Sequence, residues 1–274
     1  MGELVRRVPE ITLTKLSLEL IGTEGTGNAS VEVDQYVSVN PEIESSDVKV
    51  VIVPGFMQET TDDPLPFIAT VAAQVVGSSF VLSRPKSFEA DFWARPEGQH
   101  MAMVQAMGEL VSMGKTQELK IIGHSLGGTK VVNALALTQQ DLPKIRGVLC
   151  LGSAARERFL DSDYFAKTAA ASPEGFFVGR RQAQVPFLEV MSRSMEYNSP
   201  KTAARLPKNG VPITAVSIQG DEVMKHAERM RGGGIKDKKV RLHTKGLTPS
   251  QLHNWVGEEN RRKLEKIIRD FLVK

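Results

Sequence analysis

Gly123-His124-Ser125-Leu126-Gly127-Gly128 follows directly on the apolar run Leu119-Lys120-Ile121-Ile122 and precedes a helix-permissive stretch from Thr129 to Leu137. A strand, a sharp turn and a helix with a serine at the apex force the serine backbone into a strained conformation and push its hydroxyl out beyond the sheet edge. Glycine is needed at 123 and 127 because a Cβ at either place would collide across so tight a turn. The chemistry this serves is nucleophilic. A serine hydroxyl is a poor nucleophile near neutral pH, so an imidazole must take its proton during attack and return it to the leaving group. A carboxylate on the other ring nitrogen then fixes the tautomer and stabilises the imidazolium. Acid and histidine candidates follow downstream in the order serine, aspartate, histidine. The alternative, a glycine-containing loop of no chemical consequence, does not account for this context.

Composition narrows the class. A chain of 274 residues that is 41% hydrophobic can bury a large core, and residues 1–274 read as one domain. No apolar stretch is long enough to span a bilayer, and the basic pair Arg6-Arg7 has no apolar region behind it, so a cytoplasmic location is expected. The single cysteine, Cys150, lies in the apolar run Gly147-Val148-Leu149-Cys150-Leu151 and reads as a buried structural thiol, compatible with a reducing compartment. The formal net charge of +3 is small, and Lys and Arg are interspersed with Asp and Glu, which leaves no nucleic-acid footprint.

The elements that must position Ser125 alternate. Residues 11–20 and 30–39 alternate polar with apolar around a glycine cluster and predict an antiparallel hairpin at one edge of a sheet. Short apolar runs at Val48–Val53, Ser79–Leu82, Leu119–Ile122, Ile145–Leu151, Ile213–Ile218 and Val240–Thr244 predict parallel strands. Helices are expected over Pro64–Val76, with Asp63 as its cap, over Pro96–Met113, and over Glu258–Leu272, whose Leu264, Ile267, Ile268 and Phe271 share one face.

One segment interrupts the alternation. Residues 153–211 contain no convincing strand and far exceed an ordinary connection of about 2 to 6 residues, so an inserted helical cap is expected there. Phe159, Tyr164, Phe165, Phe176, Phe177, Phe187 and Tyr197 concentrate in it. Most of these rings would serve the cap's own small core, with two or three facing a substrate pocket.

The turn around Ser125, the alternating strands and the insertion after Leu151 resemble the α/β-hydrolase superfamily from about Val48 onward, and GHSLGG resembles the turn of its small esterases, lipases and thioesterases. The resemblance implies an α/β-hydrolase fold: a mostly parallel twisted sheet flanked by helices, with the N-terminal hairpin and the inserted cap. In that family the acid follows the next-to-last strand and the histidine follows the last. Carried onto this chain, this makes Ser125 the nucleophile, His253 the general base and acid, and Asp221 the orienting carboxylate. Glu222 is the alternative acid, and the Gly220-Asp221 strand-end turn favours Asp221. His243 is the competing histidine, but it is expected within a strand. His124 is expected to pack beside the sheet, and His100 and His226 to be surface or packing residues.

The resemblance further implies two backbone donors for a tetrahedral oxyanion. Leu126 would supply one. The other would come from Val53-Pro54-Gly55-Phe56-Met57, which resembles the family's His-Gly turn with Pro54 in place of histidine, so that Phe56 donates and Met57 is the alternative. Met57, Trp93, Phe176, Phe177 and Phe187 are candidates for the substrate pocket. Arg231–Lys236 lacks the spacing and ending of a phosphate-binding loop, no HExxH or cysteine-pair metal site exists, and Gly128 stands where an SxxK enzyme needs lysine, so neither cofactor nor metal is implied. The function expected is a serine hydrolase acting on a small-molecule ester or thioester through an acyl-enzyme. Acyl transfer to another acceptor, and a non-catalytic ligand-binding protein on the same fold, are the alternatives.

Overall fold

Alternating residues shape the first two strands: β1 (Ile11–Leu20) and β2 (Ala29–Ser38) pair antiparallel from Ile11 opposite Ser38 to Leu20 opposite Ala29, and only one face of β1 is covered. The computed structural model describes residues 10–22, 27–39, 48–55, 58–83, 96–113, 118–137, 144–153, 211–221 and 235–274. The following strands are β3 (Val48–Val53), β4 (Ser78–Leu82), β5 (Glu118–His124), β6 (Lys144–Leu151), β7 (Ile213–Gln219) and β8 (Lys236–Arg241). They form an eight-stranded sheet in the order β1-β2-β4-β3-β5-β6-β7-β8, in which β2 meets β4 antiparallel and all later neighbours are parallel.

The central strands are near-continuous apolar runs because both their faces are covered, as parallel sheets require. Val51, Val53, Ile121, Val148 and Cys150 pack with α2 (Pro96–Ser112) and α3 (Leu126–Leu137) on one side. Val50, Ile52, Ile122, Leu149 and Leu151 pack with α1 (Leu65–Val76) and α5 (Glu258–Val273) on the other. A short helix, α4 (Pro249–His253), stands between β8 and α5. Lys120, on β5, runs its buried stem to the end of α5, where its ammonium donates to the carbonyls of Phe271 (3.1 Å) and Leu272 (2.7 Å), groups a helix end leaves unpaired. Among the described residues no helix is long and apolar enough to cross a membrane.

Three expectations need correction. The last strand lies at Lys236–Arg241 instead of Val240–Thr244, because this edge strand is solvated on both faces and carries lysines where an interior strand carries apolar residues. His243 therefore follows the strand. Asp63 does not cap α1: Pro64 holds the N-cap position with no side-chain bond, and the Asp63 carboxylate instead meets Arg261 at 2.8 Å. The α3 helix starts at Leu126, directly after Ser125, and not at Thr129. Residues 154–210, where the cap is expected, lie outside the described residues.

Candidate active site

Ser125 has φ +53°, the left-handed region that a side chain bearing a Cβ enters only when its surroundings compel it. The compulsion is steric and hydrogen-bonded. A Cβ on Gly123 would stand 2.4 Å from Gly128, and one on Gly127 would stand 2.1 Å from the Val53 carbonyl oxygen. The strand end, the turn and the first helical turn thus touch backbone to backbone. The Ser125 N–H donates to the Leu151 carbonyl at 2.8 Å, which fixes the turn to the end of β6, and the Ser125 side chain is half-buried. Leu126, next in sequence, is the first residue of α3, where backbone N–H groups have no partner within the helix and the helix dipole favours negative charge.

Asp221 and His253 meet beside this turn. Gly152 at the end of β6 donates to Val216 of β7, and β7 leads through Gly220 to Asp221, which is buried. The Asp221 carboxylate accepts from Nδ1 of His253 at 2.7 Å. Since Nδ1 carries the proton, Nε2 of the neutral ring is a lone pair, and it is buried without a hydrogen-bond partner. The ring lies over Gly152, where an added Cβ would stand 3.1 Å from its Cε1.

Local sequence determines where His253 stands. Thr248 closes a reciprocal cap on α4: its hydroxyl accepts from the Gln251 N–H (3.2 Å), and Gln251 Oε1 accepts from the Thr248 N–H (2.9 Å), with Pro249 in the first turn. Leu252 and the fully buried Trp255 on either side of His253 pack into the core under α1 and α5, and this anchoring holds Trp255 at φ +58°. Asn260 of α5, also buried, donates to the carbonyls of His243 (3.0 Å) and Val256 (2.8 Å) and accepts from the His243 N–H (2.8 Å). The loop bearing His253 is therefore held at both ends.

His124 is fully buried, with its ring centroid 5.2 Å from that of His253, and its Nδ1 lies 2.9 Å from Gln58 Oε1. Burial, and then the neighbouring His253, push its pKa down to about 3, so the ring is neutral across the working range. The Cys150 thiol, buried against the Gly128 carbonyl, is pushed up to about 12 by desolvation and stays protonated, in line with a packing role.

His243 is exposed with Nδ1 3.7 Å from the Glu259 carboxylate, away from the Asp221 pair, and His100 is on α2. Phe56, Met57, Trp93, Phe176, Phe177, Phe187, Glu222 and His226 lie outside the described residues.

No protein-family model and no curated protein matches the sequence. Solved structures do match its fold. An esterase of the fungus Rhizomucor miehei superposes over 97% of this chain and 84% of its own, with a TM-score of 0.63 at 14% identity. A thermostable esterase from Pseudomonas putida covers 97% and 83% with a TM-score of 0.62 at 15% identity. Carboxyl esterase 2 of Tuber melanosporum covers 100% and 88% with a TM-score of 0.57 at 12% identity. With the strand order, the parallel core and these superpositions, the architecture is decided. The chain has the α/β-hydrolase fold. In open parallel α/β sheets, ligand sites as a rule lie outside the carboxyl ends of the strands, and Ser125 and Asp221 follow the carboxyl ends of β5 and β7.

Sequence reasoning did not single out Gln58, Trp255 or Asn260. Asn260 carried a signal, since it lies four residues before Leu264 and so on the apolar face of α5. Gln58 carried a weaker one, a lone amide three residues after the glycine of an apolar turn.

Proposed function

We propose that this protein is a serine hydrolase that cleaves a carboxylic ester or thioester through an acyl-enzyme on Ser125. The Asp221–His253 pair carries this reading: a carboxylate at 2.7 Å fixes Nδ1–H and leaves Nε2 as an unpartnered buried base on a ring that lies over Gly152, the residue after the Leu151 carbonyl that holds the strained Ser125 turn. In the first step Nε2 takes the Ser125 proton as Oγ attacks the substrate carbonyl carbon, and the carbonyl electron pair moves to oxygen. That oxyanion is received by backbone N–H groups, Leu126 at the head of α3 and Phe56 after Gly55. Collapse re-forms the carbonyl and expels the alcohol or thiol, which takes the proton from Nε2. Water then repeats the sequence on the acyl-enzyme, releasing the acid and restoring Ser125. Asp221 stays ionised and stabilises the imidazolium in both steps.

The esterase names of the structural neighbours support an ester as the substrate class. The expected cap at 153–211, with Phe176, Phe177, Phe187 and Trp93, would form an apolar roof favouring a small or medium acyl group.

The test is a pair of single variants and their combination. Ser125→Ala and His253→Ala should each lower p-nitrophenyl ester turnover by up to ~10⁶-fold, and the double variant should be scarcely worse, because the two act in one proton transfer. Losses that multiply, or retained turnover in Ser125→Ala, would refute the assignment.

A further inference from the structure

The amide of Gln58 is oriented by two backbone groups. Its Nε2 donates to the Asp63 carbonyl at 2.9 Å, so Oε1 must be the end that faces the Gly55 N–H, from which it accepts at 2.7 Å. His124 Nδ1 reaches the same oxygen at 2.9 Å. An oxygen acceptor there requires that Nδ1 carry the ring proton. The second nitrogen, Nε2, faces the His253 carbonyl at 3.4 Å, and in a neutral ring protonated at Nδ1 this is a contact between a lone pair and an oxygen, not a hydrogen bond. His124 therefore donates once, toward the turn after β3.

That turn lies against the nucleophile. A Cβ added to Gly55 would stand 2.6 Å from Gln58 Oε1 and 2.8 Å from the Ser125 Cβ, so the glycine backbone is wedged between the amide and the serine side chain. Gln58 and His124 are both buried, and neither is required by the proton transfers themselves. A buried amide that accepts from the Gly55 N–H and from His124 and donates to the Asp63 carbonyl ties the turn after β3 both to the end of β5 and to the segment leading into α1.

We propose that Gln58 and His124 are positioning residues for the oxyanion site: they hold the backbone at Gly55 against Ser125, and with it the turn assigned above to supply the second oxyanion donor. The proposal rests on the serine-hydrolase reading. Its consequence is kinetic, since an oxyanion donor acts on the transition state more than on the bound ester. The Nδ2 of an asparagine at 124 can take the place of the imidazole Nδ1–H, whereas phenylalanine fills the space without a donor.

The experiment compares wild type, H124F, H124N and Q58L. Active sites are counted by titration with a fluorophosphonate to end point, and kcat and KM for p-nitrophenyl esters are expressed per titrated site. H124F and Q58L should lose roughly 10- to 100-fold in kcat with KM little changed, below the full value of one oxyanion donor, and H124N should recover most of the loss. A role confined to packing would lower the titratable fraction and the melting temperature while leaving kcat per site at the wild-type value. That result in Q58L, which stands even where H124F does not fold, would overturn the proposal, as would H124N no better than a folded H124F. Wild type that neither labels at Ser125 nor hydrolyses any ester would instead remove the hydrolase reading beneath it.

Discussion

His124 gives up the proton it would hold in water because burial strips its hydration and His253 lies beside it, taking its pKa from the ordinary 6.5 to about 3. Between these values the unfolded chain binds a proton that the folded chain refuses. The stability linked to this residue is therefore complete above about pH 6.5 and falls toward pH 3, by up to about 1.4 kcal/mol per pH unit. Urea unfolding at pH 7 and pH 4.5 should show wild type losing more stability than H124N, in which the group no longer titrates. Equal losses would mean that His124 takes up its proton in the folded state. The sequence placed this histidine correctly beside the sheet, since its neighbour Ser125 dictates the local backbone. Its bond to Gln58 was not legible, because a contact between the turn after β3 and the end of β5 exists only once the two strands are paired. The turn at Ser125 was legible because its glycines at 123 and 127 stand four residues apart between a strand and a helix, although its contacts with Val53 and Leu151 were not.

At the scale of elements, the strands buried on both faces were the readable ones. Val48–Val53 is unbroken in apolar character apart from Lys49, and its ends match the pattern. β8 was misplaced for the opposite reason: Lys236-Asp237-Lys238-Lys239 pairs with β7 along the backbone while its side chains stay exposed, which leaves no apolar periodicity. The loop that follows it depends on α5. Asn260 holds both backbone groups of His243 and the carbonyl of Val256, so Asn260→Ala leaves three polar groups to find other partners. The variant should be destabilised by ~1–3 kcal/mol in urea titration, with ester turnover falling as the His253 loop loosens. Unchanged stability and turnover would show that α4 and Trp255 hold the loop unaided.

The whole molecule brings together residues far apart in sequence, Ser125 after β5, Asp221 after β7 and His253 on α4, by stacking their strands side by side around a two-faced core. The fold was legible as a resemblance once the alternating strands were in place. The pocket was not, since its expected lining comes from an insertion whose aromatics serve a local core or a ligand equally well by composition. Alanine at Phe176, Phe177 and Phe187, one at a time, should shift the preferred ester chain length by one or two carbons, because each methylene is worth only ~1–3 kcal/mol of discrimination. A large fall in melting temperature with an unchanged chain-length profile would assign these rings to the cap's interior.

The most direct test of the account is to trap its intermediate. Rapid mixing with a p-nitrophenyl ester, followed by acid quench and peptide mass analysis, should give a burst of one equivalent of p-nitrophenol per titrated site where deacylation is slow, and an acyl adduct on the peptide bearing Ser125. Steady turnover with no adduct on Ser125, persisting in Ser125→Ala, would contradict it.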